Sequence, residues 1–197
     1  MLRLAINGYG RIGRSVLRAL IDSPLSESMR VVAINEPADL ATIAHLTRYD
    51  STHGRFKGEL AVEEAGLRIN GDFVAVYHES DTAALPWSDL NIDCLLECSG
   101  TEVASDALAA HLKAGAKRVL LSQPGETDIP AIVYGINEPI LSSDITLASA
   151  ASCTSNGITP AIKVLHREFD IVSGSITTIH SAMNDQPVLD AYHHTDL

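Results

Sequence analysis

The chain is poor in cysteine, aromatic residues and positive charge. Only 3 of its 197 residues are cysteine, too few for the paired framework of a disulfide-stabilised secreted domain. The 14 Lys and Arg are outnumbered by 25 Asp and Glu, which gives a net charge of −11. This excess opposes an anionic nucleic acid or membrane surface, so we expect neither as a partner.

Long apolar runs are also missing. No segment approaches the roughly 18 apolar residues of a membrane-spanning helix, and Met1 leads directly into a strand pattern rather than a signal peptide. We therefore expect a protein of the reducing cytoplasm.

Short apolar runs alternate with helical patterns along most of the chain. Strands are predicted at 2–7, 29–35, 92–98, 117–122, 131–136 and 145–150, and helices at 12–22, 38–48, 103–114 and 153–169. This alternation predicts an α/β fold with a doubly wound parallel sheet of the Rossmann type. Between 58 and 78 the pattern changes to short strands with an Asn70-Gly71 turn, which indicates small antiparallel additions.

Residues 8–13, GYGRIG, match the G-x-G-x-x-G motif between a strand and a helix. In such a motif Gly8 permits a tight turn, Gly10 lets the backbone approach a pyrophosphate, and Gly13 allows close helix–strand packing. The alternative is a glycine-rich turn without a ligand, which the surrounding β-α-β pattern disfavours. Glu36 ends the second strand 23 residues later, where an acid accepts ribose hydrogen bonds and repels a 2′-phosphate. The pattern predicts NAD rather than NADP, although an exposed strand-end glutamate is the alternative.

Cys153 lies in ASCTSN, between a buried strand and an amphipathic helix. A cysteine at a helix N-terminus is stabilised as a thiolate by unpaired N–H groups. Cys94 and Cys98 instead face one side of an apolar strand and are expected to be inert core residues. His180 follows in ITTIH and either pairs with the thiol or is a structural histidine. His193 and His194 are expected to be solvated, and no metal site is predicted.

A domain boundary is predicted near residue 152. Residues 1–152 complete a dinucleotide-binding domain. Residues 153–197, with a strand expected at 173–183, form the start of an α+β catalytic domain. Because one strand cannot make a sheet, this second domain is expected to be incomplete.

Four stretches, INGYGRIGR, YDSTHGRF, ASCTSN and TTIH, resemble in this order the glyceraldehyde-3-phosphate dehydrogenase superfamily. The resemblance covers all 197 residues, and the histidine 27 residues after the cysteine makes it specific. HSAMNDQPVLDAYH, Asn35-Glu36 and the stretch 121–125 are similar to the erythrose-4-phosphate dehydrogenase branch.

The resemblance implies a role for each matching residue. Cys153 would be the nucleophile and His180 the group that activates it, with Ser152 and Thr154 contacting substrate or an anion. The residues implied to bind NAD are Asn7, Gly8, Gly10, Arg11, Ile12, Gly13, Glu36, Ser99, Gly100 and Ser122. A homotetramer is implied as well.

The resemblance also implies the reaction, which is oxidation of a phosphorylated aldehyde through a thioester. Phosphorylating members usually carry Thr where Met183 stands, and Met cannot donate a hydrogen bond to phosphate. This favours water as the group that cleaves the thioester, so that erythrose 4-phosphate is oxidised to 4-phosphoerythronate, which the resemblance links to pyridoxal phosphate synthesis. The alternatives are a phosphorylating glyceraldehyde-3-phosphate dehydrogenase and a non-catalytic NAD-binding fragment.

Overall fold

A computed structural model describes residues 1–180 of the chain. The strands are β1 (Leu2–Asn7), β2 (Met29–Asn35), β3 (Tyr49–Asp50), β4 (Gly54–Arg55), β5 (Leu60–Glu63), β6 (Gly66–Ile69), β7 (Asp72–Tyr77), β8 (Cys94–Glu97), β9 (Val119–Leu121) and β10 (Leu147–Ser149). The helices are α1 (Arg11–Ile21), α2 (Leu40–Arg48), α3 (Ser105–Lys113) and α4 (Cys153–Phe169).

Eight of the strands form one sheet in the order β10-β9-β8-β1-β2-β7-β6-β5. All neighbours from β10 to β7 are parallel, so the chain winds first to one side of β1 and then to the other. The prediction of a doubly wound parallel sheet is confirmed. The chain reverses its winding between β1 and β8, and ligands of open α/β sheets bind at such a switch point.

Both faces of the sheet are covered, as the continuous apolar runs predict. On β1, Ile6 belongs to a core cluster with Leu17 of α1 and Ile43 of α2. Ala5 points the other way, into a cluster with Trp87 and with Leu108 of α3. The alternation of side chains along one strand therefore fixes which helices pack on which face.

The segment between 58 and 78 is a set of short antiparallel strands, as predicted. β5 pairs with β6, and β6 with β7, and the turn between the last two has Asn70 and Gly71 at φ 49° and 89°. β7 also pairs in parallel with β2, from Ala33 to Asn35, so it joins these additions to the main sheet.

Two predicted strands are wrong. In 131–136 a single bridge joins Ala131 to Ser149, and the N–H of Ile136 then bonds back to the Val133 carbonyl at 3.0 Å in a turn. Residues 173–180 form no strand and join neither of the sheets of the described part of the chain. Residues 181–183 of that prediction lie outside the described residues.

Helix α4 spans the predicted residues but projects its apolar side chains outward. Leu165 is 48% and Phe169 77% exposed within the part of the chain described. Across residues 1–180, no helix combines the length and apolar character needed to cross a membrane.

Candidate active site

The carboxyl ends of the parallel strands bring the predicted cofactor residues to one edge of the sheet. Asn7 at the end of β1 lies opposite Asn35 of β2 and Glu97 of β8, and Glu97 lies opposite Leu121 of β9. Gly8, Glu36, Ser99 and Ser122 each lie one or two residues beyond these ends. The sequence motifs, far apart along the chain, therefore converge where such sheets bind ligands.

The glycine-rich turn is as tight as its sequence predicts. Gly8 has φ 83°, and a Cβ on it would lie 2.3 Å from the Ser99 nitrogen. A Cβ on Gly13 would lie 2.4 Å from the Gly8 carbonyl oxygen, whereas one on Gly10 would meet nothing within 4 Å. The first and third glycines are required by packing within the protein. Gly10 leaves an open space at the N-terminus of α1, where a pyrophosphate fits.

Arg11 and Ile12 form the first turn of α1, and both are exposed. Because they directly follow Gly10, they lie beside its open space, and their exposure agrees with the predicted contact to a pyrophosphate.

Glu36 holds the glycine-rich turn from the second strand. One carboxylate oxygen accepts a hydrogen bond from the Tyr9 N–H at 2.7 Å, and the other accepts one from the Ala38 N–H at 3.4 Å. A carboxylate oxygen has two lone pairs, so ribose hydroxyls can still bind. Glu36 is half-buried at the edge formed by the carboxyl ends of the strands, the position that its place after the second strand predicts.

Cys153 is the first residue of α4. The chain reaches it through Ala151, which adopts φ 58°, and Ser152, whose side chain accepts a hydrogen bond from the Ser155 N–H at 3.0 Å. Ser152 therefore caps the helix, which is a structural role beside its predicted contact with substrate. The capped N-terminus leaves the Cys153 thiol exposed.

His180 lies next to the thiol, with its Nε2 atom 3.3 Å from Cys153 Sγ. The 17 residues of α4 carry the chain roughly 24 Å away from Cys153. The residues after Asp170, extended at about 3.3 Å each, can return over that distance. The hydrogen bond from His180, followed by those from Thr154, holds the pKa of the Cys153 thiol below its usual value. Of the two alternatives for His180, the structure therefore places it at the thiol.

The other two cysteines have the opposite character. Cys94 and Cys98 pack against the same apolar cluster, as predicted from the strand pattern. Burial raises the pKa of each thiol to about 11. A thiol with so high a pKa is protonated at neutral pH, so Cys153 is the candidate nucleophile among the three cysteines.

A cleft of about 380 Å³ opens at Cys153. Thr154 and Gly157 of α4 line one side, and the returning segment 176–180 lines the other. The cleft can admit a small aldehyde to the sulfur, because the thiol and imidazole both line it.

Ser99, Gly100 and Ser122 follow the ends of β8 and β9. Gly100 is exposed and has φ 80°, which a glycine tolerates without strain. The Ser122 N–H bonds to the Glu97 carbonyl at 2.9 Å, which ties the two strand ends together. These residues border the cofactor edge beside the glycine-rich turn.

A buried polar network beneath this edge was not predicted from the sequence. Asn35 Nδ2 donates to Asn7 Oδ1 at 2.7 Å, and Asn7 Nδ2 donates to Glu97 Oε2 at 2.6 Å. Asn7, predicted to bind the cofactor, therefore uses its side chain for hydrogen bonds to Asn35 and Glu97 that join the carboxyl ends of three strands. Glu97 also contacts His111 of α3, at 3.1 Å, and both side chains are 0% exposed. The signal available in the sequence is a glutamate inside an apolar strand, since Glu is rarely fully buried without partners.

Comparison with protein families agrees with this geometry. The family model described as "Glyceraldehyde 3-phosphate dehydrogenase, NAD binding domain" matches residues 2–105, which is more than half of the chain. The model described as "Glyceraldehyde 3-phosphate dehydrogenase, C-terminal domain" matches residues 152–197. The first match covers the glycine-rich turn and Glu36, and the second covers Cys153 and His180. The chain therefore belongs to the glyceraldehyde 3-phosphate dehydrogenase family, and its N-terminal region is an NAD-binding domain.

Proposed function

We propose that the protein oxidises D-erythrose 4-phosphate to 4-phosphoerythronate, with Cys153 as nucleophile and His180 as its acid–base partner. Family membership establishes the coarser activity, an NAD-dependent dehydrogenase of phosphorylated aldehydes. The observation that carries the proposal is the 3.3 Å contact between Cys153 Sγ and His180 Nε2 at the open end of α4. Such a pair supplies a thiolate and a proton carrier at one place.

The first step is addition of the Cys153 thiolate to the aldehyde carbon. A carbon–sulfur bond forms, and the carbonyl oxygen takes a proton from His180 to give a hemithioacetal. Helix α4 favours this step because its N-terminal N–H groups place positive potential at the sulfur. Hydrogen bonds from His180 and Thr154 lower the pKa of the thiol, which favours the reactive thiolate.

Oxidation follows from the hemithioacetal. NAD, when bound, supplies the chemistry of a hydride acceptor. His180 takes the hydroxyl proton back as the carbon loses its hydride, which leaves a thioester on Cys153. His180 releases this proton to solvent and then takes one from the water that attacks the thioester. It passes that proton to the leaving sulfur, which gives the free thiol and a carboxylic acid that ionises to the carboxylate.

The residues of the cofactor edge fit a dinucleotide. The open space at Gly10, the N-terminus of α1 and the exposed Arg11 would hold the pyrophosphate, and Glu36 would accept from the ribose hydroxyls. Ser99, Gly100 and Ser122 would border the rest of the cofactor. We propose residues 1–152 as the cofactor domain and 153–197 as part of the catalytic domain, in a homotetramer.

The choice of erythrose 4-phosphate is supported by resemblance in HSAMNDQPVLDAYH. Met183, which argues against phosphate as the acyl acceptor, lies in this stretch and outside the described residues. A phosphorylating reaction with glyceraldehyde 3-phosphate is the second candidate, favoured by the match to the two glyceraldehyde 3-phosphate dehydrogenase family models.

The test is an NADH absorbance assay of the purified protein with each aldehyde, with and without inorganic phosphate. We expect a higher kcat/KM for erythrose 4-phosphate, no requirement for phosphate, and loss of turnover in Cys153→Ser. A higher kcat/KM for glyceraldehyde 3-phosphate that depends on phosphate would replace the first candidate with the second. If neither aldehyde reduces NAD, aldehyde oxidation itself is rejected.

A further inference from the structure

We propose that Glu97 is a positioning residue of the NAD site, whose buried carboxylate fixes the distance between the glycine-rich turn after β1 and the Ser99 turn after β8. The inference rests on the proposed function in one respect, namely that the Ser99 turn borders the cofactor. Glu97 itself is 0% exposed, so its carboxylate is closed off from the surface of the cleft. It acts through the residues it holds.

Three donors converge on this carboxylate from three separate parts of the fold. Asn7 Nδ2 of β1 donates to Oε2 at 2.6 Å. The Ser99 N–H donates to Oε1 at 2.7 Å. His111 Nε2 of α3 lies 3.1 Å from Oε2. One side chain thus links the two turns at the switch point to a helix on the face of the sheet.

The hydrogen at His111 Nε2 is assigned by the other side of the ring. Trp87 Nε1, which can only donate, lies 3.0 Å from His111 Nδ1. Nδ1 therefore accepts, and the hydrogen of the ring is on Nε2, directed at Glu97. The three donors make the site complementary to an anionic carboxylate, although the Glu102 carboxylate also lies in this cluster. Although burial raises the pKa of Glu97, the hydrogen bonds from His111, Ser99 and Asn7 together bring it below its usual value.

A metal ion is the alternative occupant of this cluster. Glu97, Glu102 and His111 place ligand atoms within 4.8 Å of one another. However, the Trp87 contact leaves His111 Nε2 as a donor rather than a lone pair, and a metal ligand needs the lone pair. The imidazole therefore donates to Glu97, with the Glu102 carboxylate 3.4 Å from the same nitrogen, and it offers no lone pair to a metal ion.

The contact between the two turns explains why a fixed distance matters. Gly8 approaches Ser99 so closely that even a Cβ would overlap the Ser99 backbone, at 2.3 Å from its nitrogen. If the Ser99 N–H lost its acceptor, its turn would be free to move against Gly8. Such a shift would change the shape of the cleft that receives NAD. It would leave the Cys153 thiol in place, because that thiol lies on α4, away from both turns.

The experiment compares Glu97→Gln with wild type by calorimetric titration of NAD and by steady-state kinetics. Glutamine keeps the shape, but its amide nitrogen faces Ser99 in one orientation and both Asn7 and His111 in the other. We expect the Kd and the KM for NAD to rise about tenfold, because a buried hydrogen-bonding group loses its partner. At saturating NAD, kcat should stay within about twofold of wild type.

Leu95→Val is the matched control for a purely structural effect. Leu95 is 0% exposed and lies on the same face of β8, so the change loosens the same core. It should lower Tm and leave the Kd for NAD unchanged. If Glu97→Gln does not accumulate as folded protein, Asn7→Ser removes one donor and leaves the carboxylate, and it should weaken NAD binding by a smaller factor.

An unchanged Kd in Glu97→Gln would overturn the proposal, as would an equal rise in Leu95→Val. An unchanged Kd in Asn7→Ser would overturn it as well. These outcomes are separate from failure of the proposed function, since titration of NAD needs no aldehyde turnover. A protein that binds NAD but oxidises neither aldehyde would reject the function and still test Glu97.

Discussion

Alanine at Gly13 and alanine at Gly10 should have different effects, although both glycines belong to the same motif. A Cβ on Gly13 would lie 2.4 Å from the Gly8 carbonyl oxygen and 3.0 Å from an Ile6 methyl carbon. Because the first obstacle is backbone and cannot rotate away, we take the upper end of the cost of overpacking, about 3 kcal/mol. Alanine also has a higher helix propensity than glycine, which stabilises helix α1 by about 1 kcal/mol.

The net destabilisation of Gly13→Ala is therefore about 2 kcal/mol, which for a chain of this size lowers Tm by about 4–8 °C. Gly10 has φ −69° and open space around its Cβ position, so Gly10→Ala should unfold at the wild-type temperature. The added methyl group instead occupies the space assigned to the pyrophosphate. We expect NAD binding at least about tenfold weaker, or about 1.4 kcal/mol.

Differential scanning calorimetry and NAD titration on the two variants check both halves of this reasoning. Wild-type NAD affinity in Gly10→Ala would refute the assignment of the pyrophosphate to this space. A wild-type Tm in Gly13→Ala would refute the packing argument.

Three further predictions concern the ends of the site. Ser152→Ala removes the cap of α4 and should cost about 1 kcal/mol, seen as a fall in Tm of about 2–4 °C; no change would mean that the cap contributes nothing. Iodoacetamide at neutral pH should label Cys153 and leave Cys94 and Cys98 unmodified, because the pKa of the latter two is raised to about 11. Peptide mass spectrometry reads the result, and equal labelling of all three contradicts it. Glu36→Gln keeps a hydrogen-bond acceptor for the glycine-rich turn but removes the charge that repels a 2′-phosphate. The ratio of kcat/KM for NADP to kcat/KM for NAD should therefore rise. An unchanged ratio counts against Glu36 as the residue that discriminates between the two cofactors.

The parts of the fold that could be read from the sequence are those with local causes. β1, β2 and α4 have the predicted bounds, because an apolar run flanked by a turn or a capping residue fixes both the type and the ends of an element. The same logic fails at 131–136, where AIVYGI has the composition of a strand. Gly135 at φ 80° and the turn at Val133 divert the chain after one bridge.

The candidate site shows the same division. The sequence predicts the glycine-rich turn and the exposed Cys153 because each lies at a strand–helix junction whose chemistry is local. The pairing of His180 with Cys153 depends on the path of the chain after α4, which a separation of 27 residues does not encode. Glu97 was missed for a related reason, since its partners come from β1 and α3 and become neighbours only after folding.

The most direct test of the account is the pH dependence of Cys153 alkylation in wild type and in His180→Asn. The thiolate is the reacting form, so the rate is high above the pKa of the thiol and is lost as pH falls through it. Because the pKa of Cys153 is lowered chiefly by His180, the wild-type rate should persist to lower pH than that of an ordinary cysteine, whose pKa is about 8.5.

In His180→Asn the inflection should move upward, and the rate at neutral pH should fall, by at most about 30-fold, the limit set by the thiolate fraction of an ordinary cysteine. The same inflection in both proteins would contradict the account, since His180 would then have no part in ionising the sulfur.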